Sequence, residues 1–185
     1  MKNKLIILLI LILFPDILQS ENIDISAKNI NIDKKNEVTI FEDDVVIIDK
    51  EKNIIKSEFA SYNKKLDFFI LKKSVYIKDN DGNVLRSEEA TYDKKNGIYK
   101  IIGSAKIVTA SGYEVESSNI TLDSVKKVLF SNENTEIKDL QNNLILVENF
   151  EYLSKENIFK SMGNIRITDN LSNSYKFSQV YIDEK

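Results

Sequence analysis

SVYIKDNDGNVLRSEEATYDKK, Ser74 to Lys95, reads as strand, turn, strand. Val75 and Ile77 alternate with Tyr76 and Lys78 at the two-residue period of a half-buried strand. Asp79-Asn80-Asp81-Gly82-Asn83 is a turn, because Gly takes positive φ freely and Asn and Asp tolerate it. Val84 to Tyr92 is a second strand, closed by Asp93-Lys94-Lys95. The same phrase returns along the chain every thirty residues without a gap. Ile47, Ile77, Ile107, Ile137 and Ile167 form one column; Asp49, Asp79, Thr109, Asp139 and Asp169 form another two residues on. Tyr62 and Tyr92 belong to a third, with Ile32, Leu122, Tyr152 and Ile182. A period of this length marks one β-unit stacked on itself, here about five and a half times.

Parity within the units carries a second signal. Apolar residues sit at odd positions up to Ala27 and at even positions from Ile30; Ile55 and Ser57 give way likewise to Ala60 and Tyr62. Such a switch implies a bulge, which bends each strand at the same place and curves the sheet into a V. β-branched and aromatic residues dominate after residue 21, and polar breaks arrive every eight to twelve positions, so no helix is expected there. Three short strands per unit give about sixteen in all. The residues themselves leave two geometries open: an antiparallel jelly-roll joined by short polar hairpins, and a parallel β-helix with one coil per unit.

The N-terminus is an address. Lys2 and Lys4 precede an unbroken apolar run from Leu5 to Phe14, Pro15 ends it, and Ser20 offers a small residue before a cut ahead of Glu21. A ten-residue run is too short to span a bilayer core of about 30 Å, although a membrane anchor is the alternative reading. The expected organisation is an export signal over 1–20 and one β-domain over 21–185. The chain has no Cys and no His, which excludes disulfides, thiolate chemistry and the Ser-His and Cys-His nucleophile systems. A net charge of −3 gives no basic footprint for nucleic acid. The acids are spread along turns rather than paired, so an enzyme is not expected, and neither a cofactor nor a metal is implied.

ISAKNINIDKKNEV, IIKSEFASYNKK and VYIKDNDGNVLRSEEATYDKKNG resemble the OstA-like repeat of the lipopolysaccharide-transport proteins LptA and the periplasmic N-terminal domain of LptD. The recognisable phrase here is Asp81, Gly82, Leu85, Ser87, Ala90, Tyr92, Asp93 and Gly97. The resemblance runs clearest over residues 23–113. Glu42-Asp43-Asp44 departs from it, standing where the family carries a small residue and Gly, and makes the first turn less typical. The resemblance implies an open antiparallel β-jelly-roll in the periplasm, associated finally with the outer membrane. Its apolar interior would shield the acyl chains of lipid A, with other jelly-roll domains as head-to-tail partners. It leaves open whether the chain is a whole bridge protein or the first part of an outer-membrane component.

A lipid crossing water exposes its chains at about 0.8 kcal/mol per methylene, so a continuous apolar face is what such a carrier needs. The candidates are Ile25, Ile47, Ile55, Ile77, Leu85, Ile107, Val115, Ile137, Ile145 and Ile167. Taken singly, each reads more simply as filler of a closed core. The last strand, with Tyr175, Phe177, Val180 and Ile182, is the candidate assembly edge, because an uncovered strand offers unpaired N–H and C=O groups. Lys34-Lys35, Lys64-Lys65 and Lys94-Lys95 read first as solvated turns, and second as ligands for lipid phosphates. The Asp column reads as turn caps rather than calcium ligands, since acids thirty residues apart fall on different turns. Two other functions compete: a structural or adhesive secreted β-solenoid, and a carbohydrate-active β-helix enzyme.

Overall fold

The computed structural model describes residues 23–48, 52–156 and 158–183; the expected export signal and Asp49 of the Asp column lie outside them. The described chain is all-β, with no helix among the described residues. Its strands are β1 (Asp24–Ser26), β2 (Asn29–Asp33), β3 (Val38–Ile48), β4 (Ile54–Asn63) and β5 (Phe68–Lys78). Next come β6 (Val84–Asp93), β7 (Ile98–Val108), β8 (Glu114–Ser118), β9 (Thr121–Asp123) and β10 (Val128–Ser131). The last are β11 (Thr135–Lys138), β12 (Leu144–Val147), β13 (Phe150–Leu153), β14 (Ile158–Thr168) and β15 (Ser174–Asp183).

All fifteen strands join one sheet, and every pairing is antiparallel. The parallel β-helix is thereby ruled out; turns this short close antiparallel hairpins, whereas parallel neighbours need a long crossover. Three short strands per unit is also corrected. Units two and three are each two long strands, β4–β5 and β6–β7, and in the first unit, after the short β1 and β2, the segments at Val38–Ile40 and Val45–Ile47 are both parts of β3. The ladder runs through the bend between them. Glu42 faces Phe59 and Val45 faces Ser57, so Asp43 and Asp44 together oppose Glu58 alone. That is a bulge, with the extra residue on the strand opposite the one whose parity switches.

The bulge recurs at Lys73-Ser74 and at Gly103, thirty residues apart each time, and again at Gly163. Its first residue has positive φ in every case: 63° at Asp43, 64° at Lys73, 77° at Gly103 and 113° at Gly163. Glycine reaches such values without a Cβ penalty, while Asp and Lys bear a local cost there. Glu42-Asp43-Asp44, expected as an atypical turn, is therefore the first bulge inside β3.

Beyond β7 the sheet divides along the bend. One arm runs β8-β11-β12 and the other β9-β10-β13, and β14 rejoins them by pairing with both β12 and β13. Where the strands break, hydroxyls and amides replace ladder bonds. Ser131 Oγ donates to the Ser118 carbonyl and Ser161 Oγ to that of Asn149, both at 2.7 Å. The buried hydroxyls of Ser117 and Thr135 share a 2.7 Å bond. No buried side-chain N or O among the described residues lacks a partner.

Packing at the bend alternates large with small. Phe41 faces Ala60, Ala60 faces Leu71, Leu71 faces Ala90 and Ala90 faces Ile101. Later in the stack the volumes change sides: Ser131 faces Phe150 and Ser161 faces Val180. Ala60, Leu71, Ala90, Ser131 and Ser161 are each at most 1% exposed, so this line is the tightest part of the core.

Turns close both ends of the strands in a repeating way. On one side Asp33, Asp93 and Asp123 accept from backbone N–H groups two or three residues on, and Asn63 does so from Leu66. On the other side Asp79, Thr109, Asp139 and Asp169 accept from the N–H four residues on. The Asp column therefore sits in turns and caps them, as the spacing suggests. Asn53, Asn83 and Asn143 then accept from the backbone N–H of the next turn in the stack, tying successive units together.

Candidate functional site: an apolar cleft between two walls

In-register antiparallel stacking converts a thirty-residue column into a cross-strand row. The register joins Ile25 to Ile47, Ile47 to Ile55, Ile55 to Ile77 and Ile77 to Leu85. It continues from Leu85 through Ile107, Val115, Ile137 and Ile145 to Ile167, which meets Tyr175. All ten candidate residues thus lie in one unbroken row from the first strand to β14. Ile47, Ile55, Ile107, Ile137 and Ile145 are buried, and the other five are half-buried.

A second row lies on the other side of the bend, and only half of it was read from the sequence. It runs Ile32, Thr39, Tyr62, Phe69, Tyr92, Tyr99, Leu122, Leu129, Tyr152, Phe159, Ile182. The column through Tyr62 and Tyr92 was visible; its partner Thr39, Phe69, Tyr99, Leu129, Phe159, also at thirty-residue spacing, was the missed signal. Its rings stack: Tyr62 on Phe69 at 4.4 Å and Tyr92 on Tyr99 at 3.9 Å between centroids. Aromatic pairs add about 0.5–1.5 kcal/mol each beyond burial.

Across β3 to β7 the two rows face each other. Ile47 and Ile55 of the aliphatic row and Phe69, Tyr92 and Tyr99 of the aromatic row line the same cleft, with Leu71 at its base and Ile23 at its end. The open volume there is about 20 Å³. That is room for about one water and far too little for an acyl chain. In this state the walls touch, and most of the row residues belong to the hydrophobic core or pack against it. The outward face differs in chemistry: Lys56 and Arg86 lie 6.0 and 5.3 Å from the ring of Tyr76 between them.

Among the described strands, β15 is an edge strand, paired only with β14. Tyr175 terminates the aliphatic row and Ile182 the aromatic row; Phe177 faces buried Ile165, and Val180 packs on the core. Tyr175 and Phe177 are each 48% exposed although they lie in line with interior residues, because β15 pairs on one side only among the described strands. At the other end Ile30 and Ile32 of β2 are exposed for the same reason.

The rims of the cleft are the two lines of turns farthest from the bend. Turns 33–37, 63–67, 93–97, 123–127 and 153–156 form the rim beside the aromatic row; residues 52–53 and turns 79–83, 109–113, 139–143 and 169–173 form the rim beside the aliphatic row. Carboxylates on the rims are tied down. The side chain of Asn36 holds the Asp33 carboxyl below its ordinary value, and Asn96 and Asn173 do the same for Asp93 and Asp169. Backbone and side-chain bonds from Lys126 lower Asp123.

Among solved structures, the chain is similar to LptH of Pseudomonas aeruginosa, described as the LptA homologous periplasmic component of the conserved lipopolysaccharide transport device. The likeness covers 59% of this chain and 80% of that one, with a TM-score of 0.53 at 15% identity. The fold is the LptA-like β-jelly-roll. The TCP10 domain of Danio rerio CPAP, solved with a STIL peptide, also matches, but at a TM-score of 0.16 and 6% identity it carries no argument. No family model matches the chain, and neither does a curated protein.

Proposed function

We propose that this chain is a non-enzymatic periplasmic carrier in lipopolysaccharide transport, whose cleft shields the acyl chains of lipid A on the way to the outer membrane. The observation that carries this reading is the continuity of the two rows from the first described strands to β15, facing each other where the cleft lies across β3 to β7. A closed core has no need to carry its interior rows to both edge strands of the described sheet; a conduit does. The LptA-like fold agrees with it. Loading requires the walls to part, and the bend is where they can hinge. Bulges bend the ladder in the first half, and in units four and five the ladder is already split.

The uncovered ends extend the conduit from one jelly-roll to the next. β15 lies five whole periods after β1 and β2, so all three run in the same direction. A second domain that continues the stack with its rims aligned therefore meets β15 with its own first strands in parallel, by strand addition. Tyr175 and Ile182 then pass the two rows to the neighbour.

A photo-crosslinking residue at 77 or 107 tests the conduit. Ile77 and Ile107 lie mid-row, whereas Lys78 is exposed on the outer face. Labelling by lipopolysaccharide is expected at 77 and 107 and not at 78. Equal labelling at all three sites, or none at 77 and 107, overturns the reading.

A further inference from the structure

The two rims of the cleft are chemically opposite. The five turns beside the aromatic row contain nine lysines and six acids; the described residues of the turns beside the aliphatic row (52–53, 79–83, 109–113, 139–143 and 169–173) contain four acids and one lysine, Lys52. Three of those six acids, Asp33, Asp93 and Asp123, are occupied in accepting turn N–H groups. A fourth, Asp67, accepts the Tyr62 hydroxyl at 2.7 Å and lies 3.8 Å from the Lys94 ammonium. Lys34, Lys35, Lys64, Lys65, Lys95 and Lys127 are exposed. Successive turns on one rim are two strands apart, about 9.5 Å, so these ammonium groups form a line about 30 Å long.

The wall beneath that rim is graded. Aromatic bodies face the cleft, the Tyr62 hydroxyl reaches the turn above it, and the lysines stand beyond. Tyrosine suits such a boundary, having one apolar end and one wet end. The aliphatic wall lacks this gradation: isoleucines, Leu85 and Val115 carry no polar end, and lead to turns of Asp, Asn, Thr and Ser with Lys52 as the one lysine among their described residues.

We propose that the lysine rim binds the phosphate-bearing head of an amphiphile whose chains occupy the cleft. The ligand then enters in one orientation, head over the turns beside the aromatic row and chains directed at the aliphatic wall. This rests on the carrier reading above and adds to it a polarity and a head-group class. A lysine near an anionic head changes binding by about fivefold. Four together are expected to change it by tenfold at least.

The test compares lipid A with chemically dephosphorylated lipid A, in the same detergent, on the intact mature chain and on a variant carrying Lys34→Glu, Lys64→Glu, Lys65→Glu and Lys95→Glu. The parent is expected to bind lipid A at least tenfold more tightly. That preference should shrink with added salt, since exposed charges are screened, and should vanish in the variant. Binding of the dephosphorylated form should be unchanged in the variant, which doubles as the check that it folds. Should the variant fail to bind either form, the salt dependence of the parent decides. A preference that survives half-molar salt overturns the proposal, and one that collapses supports it. Equal binding of both lipids by the parent overturns the lysine rim and leaves the carrier reading standing; binding of neither overturns both. Inorganic phosphate at millimolar concentration should not displace lipid A, and displacement means a free-phosphate site instead.

Discussion

Leu71 and Ala90 face each other across β5 and β6 at the bend, each 1% exposed. Leu71→Ala removes three carbons from a site with no solvent to fill it and is expected to cost about 3–4 kcal/mol. Ala90→Leu forces the same volume into a filled site and should cost about 1–3 kcal/mol. Independent effects would sum to about 4–7 kcal/mol. The double variant instead restores volume and exchanges its side of the bend, as Ser131 with Phe150 already does further along. It is expected to lose only about 1–2 kcal/mol, a coupling of about 3–5 kcal/mol. Urea unfolding followed by far-UV circular dichroism and by the fluorescence of the eight tyrosines measures it, with no tryptophan to interfere. With an m-value of about 2 kcal/mol/M, Leu71→Ala should lower the midpoint by about 1.5–2 M and the double variant by less than 1 M. Additivity of the two substitutions within about 0.5 kcal/mol would refute volume exchange as the packing rule at the bend.

Assembly and pH offer further checks. Successive residues of an edge strand direct their N–H groups to opposite sides, so one of Gln179→Pro and Val180→Pro removes a bond to β14 and the other a donor facing outward. One variant should therefore melt like the parent yet stay monomeric at concentrations where the parent associates, as light scattering would show; two variants that associate as the parent does would exclude this edge. The lowered carboxyls of Asp33, Asp93, Asp123 and Asp169 lend stability that is complete above the ordinary carboxylate range, near pH 4, and is lost as pH falls through their depressed folded values. Lacking histidine, the chain should melt at a constant temperature between pH 5.5 and 8 and lose stability below about pH 4; a fall within that neutral window would contradict the assignment.

The thirty-residue period determined most of the ladder. Polar turns of fixed length make each unit close on the next in register, so residues thirty apart must fall in one row, and Ile47, Ile77 and Ile107 could be placed together from the sequence. Turn chemistry was legible for the same reason: Asp79, Asp139 and Asp169 cap through their own backbone, an effect spanning four residues. The parity switch at Ser57–Ala60 located the bend, although the extra residue proved to lie across the ladder at Asp43-Asp44 and Lys73-Ser74. Backbone direction at a bulge depends on both strands, and parity reports on one. Which rows face each other was decided only in three dimensions. Periodicity says that Ile55 and Phe69 both point inward, but their meeting across one cleft depends on how sharply the sheet folds. That angle is set by volumes packed between different strands, Phe41 on Ala60 and Leu71 on Ala90, and a pattern along one strand does not contain it. The contrast between the lysine rim and its acidic counterpart follows from the same fold, since the turns become two facing rims only when the strands between them bend.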